Sequence, residues 1–280
     1  MRLLGIGDNV VDRYRGLGLM FPGGNALNVA VAARRAGAQA AYLGALGTDR
    51  AGVVVLEALR DERVAVGRVR VIDGPNAYAT VVVVDGDRVF AASDIGVSRF
   101  VLDDDDLAYA AGFDLIHTSD CSMLEAQVPV LAACAPVSFD FSIRRDPGYT
   151  GPLLPHLTVA CFSASDLDED AALAMLHAAV AVGPRIALAT RGSAPSLLTD
   201  GRRVWRQPVV PASLVDTLGA GDSFIGRLLV GVMRREDPAV TLHAAAEAAA
   251  ITCGSYGAFG HGSPLAPEFA APARRTPAAS

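Results

Sequence analysis

The feature that most constrains this chain is its rhythm: short apolar runs with strand character alternate with longer segments of helical character almost throughout. Arg2–Gly7 reads as a buried strand. Asn25–Ala36 reads as a helix stopped by Gly37, with Arg34 and Arg35 in its last turn, where cations suit the helix dipole. Ala41–Leu46 is a strand again and Arg50–Arg63 a helix. Such a βαβα succession predicts a parallel sheet covered by helices on both faces. Hydrophobic residues make up 51% of the 280 and charged ones 19%, enough apolar material to bury that sheet.

The rhythm breaks between Val69 and Ala92. Arg68–Ile72 and Tyr78–Val84 are strand-like, and Asp85-Gly86 is a hairpin turn into Arg88–Ala91. This predicts a small antiparallel lid appended to the main sheet. The alternation then resumes with helix Asp104–Ala111, strand Phe113–His117, helix Met123–Cys134 and strand Val137–Phe141. Strand Thr158–Phe162, helix Asp166–Val182 and strand Arg185–Thr190 follow, then a hairpin around Asp200-Gly201 and helices Ala220–Arg235 and Val240–Cys253. The expected fold is therefore α/β, a central, mostly parallel sheet flanked by helices on both faces, with a small antiparallel β lid. One domain spans 1–263, and 264–280 forms a Pro- and Ala-rich C-terminal tail.

Composition removes several function classes. All 24 basic residues are Arg; the chain has no Lys. That excludes a Walker-A P-loop, a Schiff-base enzyme and the strand lysine of protein kinases. A net charge of −6 argues against nucleic acid as a partner. The 4 Cys lie too far apart in sequence for a CxxC pair, and the 5 His form no HExxH. Free thiols, the absence of a signal-peptide pattern and the absence of a long apolar run lead to the expectation of a cytoplasmic protein with no membrane partner.

Three constellations carry chemistry. The strongest is Asp216-Thr217-Leu218-Gly219-Ala220-Gly221-Asp222-Ser223-Phe224, which opens an apolar helix. Small residues let a ligand approach the backbone, and the first N–H groups of a helix are an anion site that needs no Lys. Asp222, one residue on, is placed to accept a proton from an attacking hydroxyl. The bland alternative is an aspartate near a helix start, favoured by the dipole alone. The second is Gly23-Gly24-Asn25-Ala26-Leu27-Asn28, where Asn28 offers a donor and an acceptor to sugar hydroxyls. The third is Gly7-Asp8-Asn9 with Asp12, at the carboxyl end of the first strand, where open α/β sheets bind ligands. Ordinary helix entry and an Asp/Asn-rich turn are the competing readings of these two.

Taken in order, these motifs make the chain resemble the PfkB/ribokinase family of sugar kinases. Gly23-Gly24-x-x-x-Asn28 continues to Gly37 and to Gly47-x-Asp49-x-x-Gly52, and the second signature is Asp216-Thr217-x-Gly219-Ala220-Gly221-Asp222. Within the family the likeness is to the fructosamine kinase subgroup, in Ile6-Gly7-Asp8-Asn9-x-Val11-Asp12, Phe139-Asp140-Phe141-Ser142, Val204-Trp205-Arg206-Gln207 and the short span from Asp12 to Gly23. The resemblance implies a ribokinase-like fold with lid segments at about 13–20 and 69–92. It implies transfer of the γ-phosphate of ATP to a primary hydroxyl of a fructosamine, most of all fructoselysine 6-phosphorylation. Asp222 is then the base, with Gly219, Ala220 and Gly221 stabilising phosphoryl charge. Asp12, Gly23, Gly24 and Asn28 bind the sugar, and Thr190, Arg191, Gly192 and Gly257 the nucleotide. Arg144 is a phosphate partner, Asp166 a metal residue acting through water, and Mg²⁺ and a monovalent cation are candidate cofactors. A homodimer paired through the lid is a further implication.

The pattern departs from the family in places. Asn-x-x-Glu maps onto Ser163-Ala164-Ser165-Asp166, and Thr-x-Gly-x-x-Gly onto Ala187-Leu188-Ala189-Thr190-Arg191-Gly192. Gly226-Arg227 stands where Ala-Gly is usual. These changes keep two alternatives open: a PfkB kinase for another sugar or nucleoside, and a non-catalytic ligand-binding relative. Arg13, Arg15, Arg88 and Arg99 are candidate receptors for a substrate carboxylate. Asp103–Asp106 reads as the acidic first turn of a helix rather than a metal cluster.

Overall fold

The alternation of side chains along the first strand already builds two layers. Leu3 faces one buried cluster and Leu4 the other, and Leu115/Ile116 and Val159/Ala160 divide the same way. The computed structural model describes residues 1–84 and 87–266, with the backbone alone over 82–84 and 87–90. In chain order come β1 (Arg2–Ile6), β2 (Val10–Tyr14), β3 (Leu19–Gly23), α1 (Asn25–Arg35), β4 (Gln39–Leu43), β5 (Ala45–Gly47) and α2 (Arg50–Asp61). Then follow β6 (Arg70–Ile72), β7 (Tyr78–Val84), β8 (Asp87–Asp94), α3 (Asp104–Ala110), β9 (Leu115–Ser119), α4 (Val128–Cys134), β10 (Val137–Asp140) and α5 (Pro147–Thr150). The chain continues through β11 (Val159–Ser163), α6 (Glu169–Val182), β12 (Ile186–Thr190), β13 (Ser196–Thr199), β14 (Val204–Gln207), α7 (Ala220–Arg234), α8 (Pro238–Thr252) and β15 (Ser263–Pro264).

The main sheet has the order β14-β13-β12-β11-β10-β9-β1-β4. The six strands from β12 to β4 are parallel, and β13 and β14 add an antiparallel edge. Buried residues of α1, α2, α7 and α8 join the cluster on one face, and those of α3, α4 and α6 the cluster on the other. This is the α/β architecture that the sequence rhythm implies.

A second sheet, β15-β3-β2-β7-β8, is the lid. Segment 13–20 runs through β2 and β3. The lid differs from expectation in two ways. Arg70–Ile72 does not join it but lies parallel to β5 in a separate pair. Its strands are also not all antiparallel, because β2 and β7 run parallel. At the C-terminal boundary, Ser263 and Pro264 pair with Met20 and Leu19, and the Leu265 N–H donates to Gly18 O. Ordered pairing therefore runs past residue 263. The Asp85-Gly86 turn, the Arg88 side chain and tail residues 267–280 lie outside the described residues.

Local chemistry explains most element boundaries. Asp49 caps α2 by accepting from the Gly52 N–H at 3.0 Å, so the Asp of the first signature is a helix cap. Asp103 and Asp106 form a capping box at the start of α3. Asp106 is buried rather than solvated, and Arg68 and Arg70 pair with it. The expected helix Met123–Cys134 shrinks to α4: Met123 has a left-handed φ of 56° and Pro129 sits in the first helical turn. Among the described residues no helix is long and apolar enough to cross a membrane.

Gly226 sets the distance between α1 and α7. A Cβ there would lie 2.5 Å from the Ala32 Cβ and 2.9 Å from the Val29 carbonyl oxygen. A side chain at 226 must push the two helices apart. Gly226→Val is expected to cost about 2–3 kcal/mol of unfolding free energy, as overpacked cores do. Urea denaturation measures this, and turnover should fall as well, because both helices start at the site described next.

Candidate active site

The carboxyl ends of the parallel strands, the first turn of α1 and the first turn of α7 converge on one place. Gly24 makes the entry to α1 possible. Its φ is 115°, and a Cβ there would sit 2.6 Å from the Asn9 Cα. Asp8 then closes the helix start, accepting from the Asn25 N–H at 2.6 Å and the Ala26 N–H at 3.2 Å, with the Ser119 and Ser122 hydroxyls also donating to it.

Gly219 does the same for α7. It is the N-cap with φ 74°, and a Cβ would lie 2.4 Å from the Ala258 Cβ. The preceding loop is held by Asp216. This buried carboxylate accepts from the Tyr14 hydroxyl at 2.5 Å, the Leu218 N–H at 2.8 Å and the Gly257 N–H at 3.1 Å. The Ala220 N–H turns back to Thr217 O at 3.3 Å, so the outward donors of the cradle come from the turn beginning at Gly221. A Cβ at Gly221 would meet no atom within 4 Å, so the space in front of that turn is open.

Asp222 is the centre of the arrangement. Its Oδ2 accepts from the Asn28 amide at 2.7 Å and its Oδ1 from the Asn25 amide at 2.8 Å. The same Asn25 Nδ2 donates to Asp140 Oδ2 at 2.8 Å. With both its amide bonds donated to carboxylates, Asn25 must accept at Oδ1. His117 Nε2 lies 3.0 Å away and supplies that proton, while His117 Nδ1 accepts from the Ser138 hydroxyl at 3.1 Å. Burial holds His117 down at about 3, so it is neutral, and this fixes the tautomer and with it the Asn25 amide.

Electrostatics follow from the crowding of acids. Desolvation pushes the Asp222 carboxyl up to about 8; Asp140 and Asp8 add repulsion, and the hydrogen bonds from Asn28 and Asn25 oppose the shift. Burial likewise raises Asp140 to about 6. Asp12, on β2, is raised to about 7 by burial and by the nearby Asp216. Gly23 leaves room for it, since a Cβ there would lie 2.6 Å from Asp12 Oδ2.

On the other side of the α7 start lies a cleft of about 720 Å³. Thr190, Arg191 and Gly192 line it, with Ala220 and Gly221 at its inner end and the apolar Pro208–Leu214 segment and α8 as walls. The cleft suits a nucleotide with its phosphates toward the cradle.

Arg191, which lines the cleft, is buried, and its guanidinium donates to Leu167 O and Pro195 O. Three other expected site residues behave differently. Gly257 does not line the cleft; it holds Asp216 and packs against the Phe21 ring, 2.7 Å from where its Cβ would be. Asp166 is paired through both oxygens with Arg145, at 2.9 and 2.6 Å, and that guanidinium holds its carboxyl below the usual range. A carboxylate so committed does not fit the metal role. Arg144 is exposed, stacked over the Tyr149 ring at 3.6 Å and close enough to Asp120 to act on its charge. It does not line the nucleotide cleft and is therefore not placed as a phosphate partner there. Among the described residues no group of three or more His, Cys, Asp or Glu side chains is arranged to hold a metal.

The motifs pointed at Asp222 and Asn28. They did not single out Asn25, Asp140 or His117. Asn25 and Asp140 lie inside those motifs with no local mark of the charge network they join, and His117 carries no local signal.

A helix-flanked parallel sheet, a lid sheet, and an aspartate beside an anion cradle define a ribokinase-like phosphotransferase. The ribokinase of Arabidopsis thaliana solved with ribose and ATP has this fold, with a TM-score of 0.79 at 21% identity over 92% of this chain and 94% of that one. The pfkB family carbohydrate kinase profile matches residues 18–148 and 153–263, so the chain belongs to that family and is a carbohydrate kinase. Among its relatives is a fructosamine kinase of Bacillus subtilis, 42% identical over 94% of this chain and 95% of that protein. A fructoselysine 6-kinase of Escherichia coli is 38% identical over 81% of this chain and 87% of that one.

The base form of Asp222 predominates above about pH 8 in the free enzyme. kcat/KM is therefore expected to level off above that pH and to fall about tenfold per unit below it. Asn28→Leu removes a hydrogen bond to the charged form and should move this limb to higher pH. Steady-state pH profiles of the two proteins test both statements.

Proposed function

We propose that this protein is an ATP-dependent fructosamine kinase that phosphorylates the 6-hydroxyl, with fructoselysine as its representative substrate. The observation that carries the reading is the position of Asp222. It stands at the start of α7, between the cleft lined by Gly221 and the polar floor built by Asn25 and Asn28. The fructosamine and fructoselysine kinases among its relatives support the choice of acceptor.

In this reading Asp222 accepts the proton of the 6-hydroxyl as its oxygen bonds to the γ-phosphorus. The bond from that phosphorus to the β-phosphate oxygen breaks and ADP leaves. The N–H groups at the α7 start stabilise charge on the transferring group. Asp12 holds hydroxyls of the sugar, and the lid strands that carry it exclude water from the phosphoryl group. Mg²⁺ brought with ATP would neutralise charge on the phosphates, and among the described residues no cluster of carboxylates forms a cage for the ion. The proposal extends to a homodimer paired through the lid.

An ADP-release screen over fructosamines, free ketoses and nucleosides tests the proposal. A fructosamine is expected to give the highest kcat/KM, with the product phosphorylated at O6 by NMR. A ketose or nucleoside turned over best would replace the acceptor. Asp222→Asn is expected to lower kcat by about 10²–10⁴-fold while ATP still binds, because only the proton acceptor is lost.

A further inference from the structure

His117 sits in the middle of β9 with no exposed surface, so it touches neither substrate. It is nevertheless one hydrogen bond away from the residue that holds Asp222. The buried Ser138 hydroxyl, on the neighbouring strand β10, donates to Nδ1 at 3.1 Å. The ring proton is therefore on Nε2 and goes to Asn25 Oδ1 at 3.0 Å.

Asn25 is nearly symmetric in shape but not in charge. Its amide nitrogen stands 2.8 Å from both Asp222 Oδ1 and Asp140 Oδ2, and it gives one proton to each. Turned over, the same side chain would set its carbonyl oxygen at those places. Two ionised carboxylates forbid that turn. A protonated Asp222 does not, because a carboxylic acid can donate to the amide oxygen. Something else must hold the amide while Asp222 carries its proton, and the Nε2–H of His117 is the donor placed to do so. By fixing Asn25 as a donor it favours the ionised form of Asp222 over the neutral one.

We propose that His117 is a positioning residue of this kinase: through Asn25 it keeps the Asp222 carboxylate ready to take the proton of the attacking hydroxyl. This rests on the reading of Asp222 as the base. The charges that act on Asp222 are Asp8, just past β1, and Asp140, on β10. Asp120, just past β9, acts on Asp140, and Asp216 of the α7 turn acts on Asp12 of the lid. Helix α1 faces Asp222 with the two neutral amides of Asn25 and Asn28. His117 itself stays neutral through burial, so it contributes a directed proton and no charge.

The test follows kcat/KM against pH in wild type, H117Q and H117F. H117F has no donor for Asn25. Its low-pH limb is expected to move up by about one pH unit, the loss of one hydrogen bond that favours the ionised base. At pH 7 kcat/KM then falls about tenfold, while the high-pH plateau and the KM for ATP are nearly kept. H117Q retains an N–H toward Asn25 and should keep its limb close to that of wild type. A merely structural role would lower the whole profile in both variants without moving the limb. A limb in H117F that stays in place or moves to lower pH overturns the inference, and so does an equal displacement in H117Q. Should H117F fail to fold in a melting experiment, ¹⁵N NMR of the wild-type imidazole decides. A proton on Nε2 throughout about pH 5–8 supports the inference, and one on Nδ1 overturns it. A D222N enzyme as active as wild type overturns instead the assignment of the base on which this rests.

Discussion

Two hydrogen bonds cross from α1 to the first turn of α7, from Asn25 and Asn28 to the two oxygens of Asp222. The candidate site depends on them, because they set where the Asp222 carboxylate points and how strongly it holds its proton. They exist only because the helices approach closely at Gly226, and because Asp8 and Gly219 let each helix begin where it does. Packing far from the chemistry thus fixes the chemistry, through rigid elements rather than adjustable loops.

The same logic explains why so much of the fold is legible in the sequence. The alternation of Leu3 and Leu4, or of Val159 and Ala160, is a local signal, and it sorts directly into the two buried layers. The Asp216–Asp222 turn is legible for a similar reason, since small residues and an aspartate at a helix start have a local physical meaning. The lid was less legible. Nothing within Arg70–Ile72 distinguishes a strand that pairs with β5 from one that joins the lid, because pairing partners are chosen by tertiary contacts.

The bridging network lies beyond local reading altogether. Asn25 meets Asp222 across 197 positions and His117 across 92. An asparagine at the entry of a helix looks like ordinary capping chemistry until the fold brings two carboxylates and a neutral imidazole around it. Asp166 shows the converse. Residue type and spacing suit it to a ligand, but the Arg145 guanidinium pairs with both its oxygens.

The hydrogen bond from Tyr14 to Asp216 ties the lid to the loop that leads into the phosphate cradle. Tyr14 belongs to the same lid strand as Asp12, and Asp216 anchors the turn that opens α7. Any displacement of that strand must either break this contact or drag the turn along with it. Together with the packing of Phe21 against Gly257, this phenol gears the lid sheet to the start of α7.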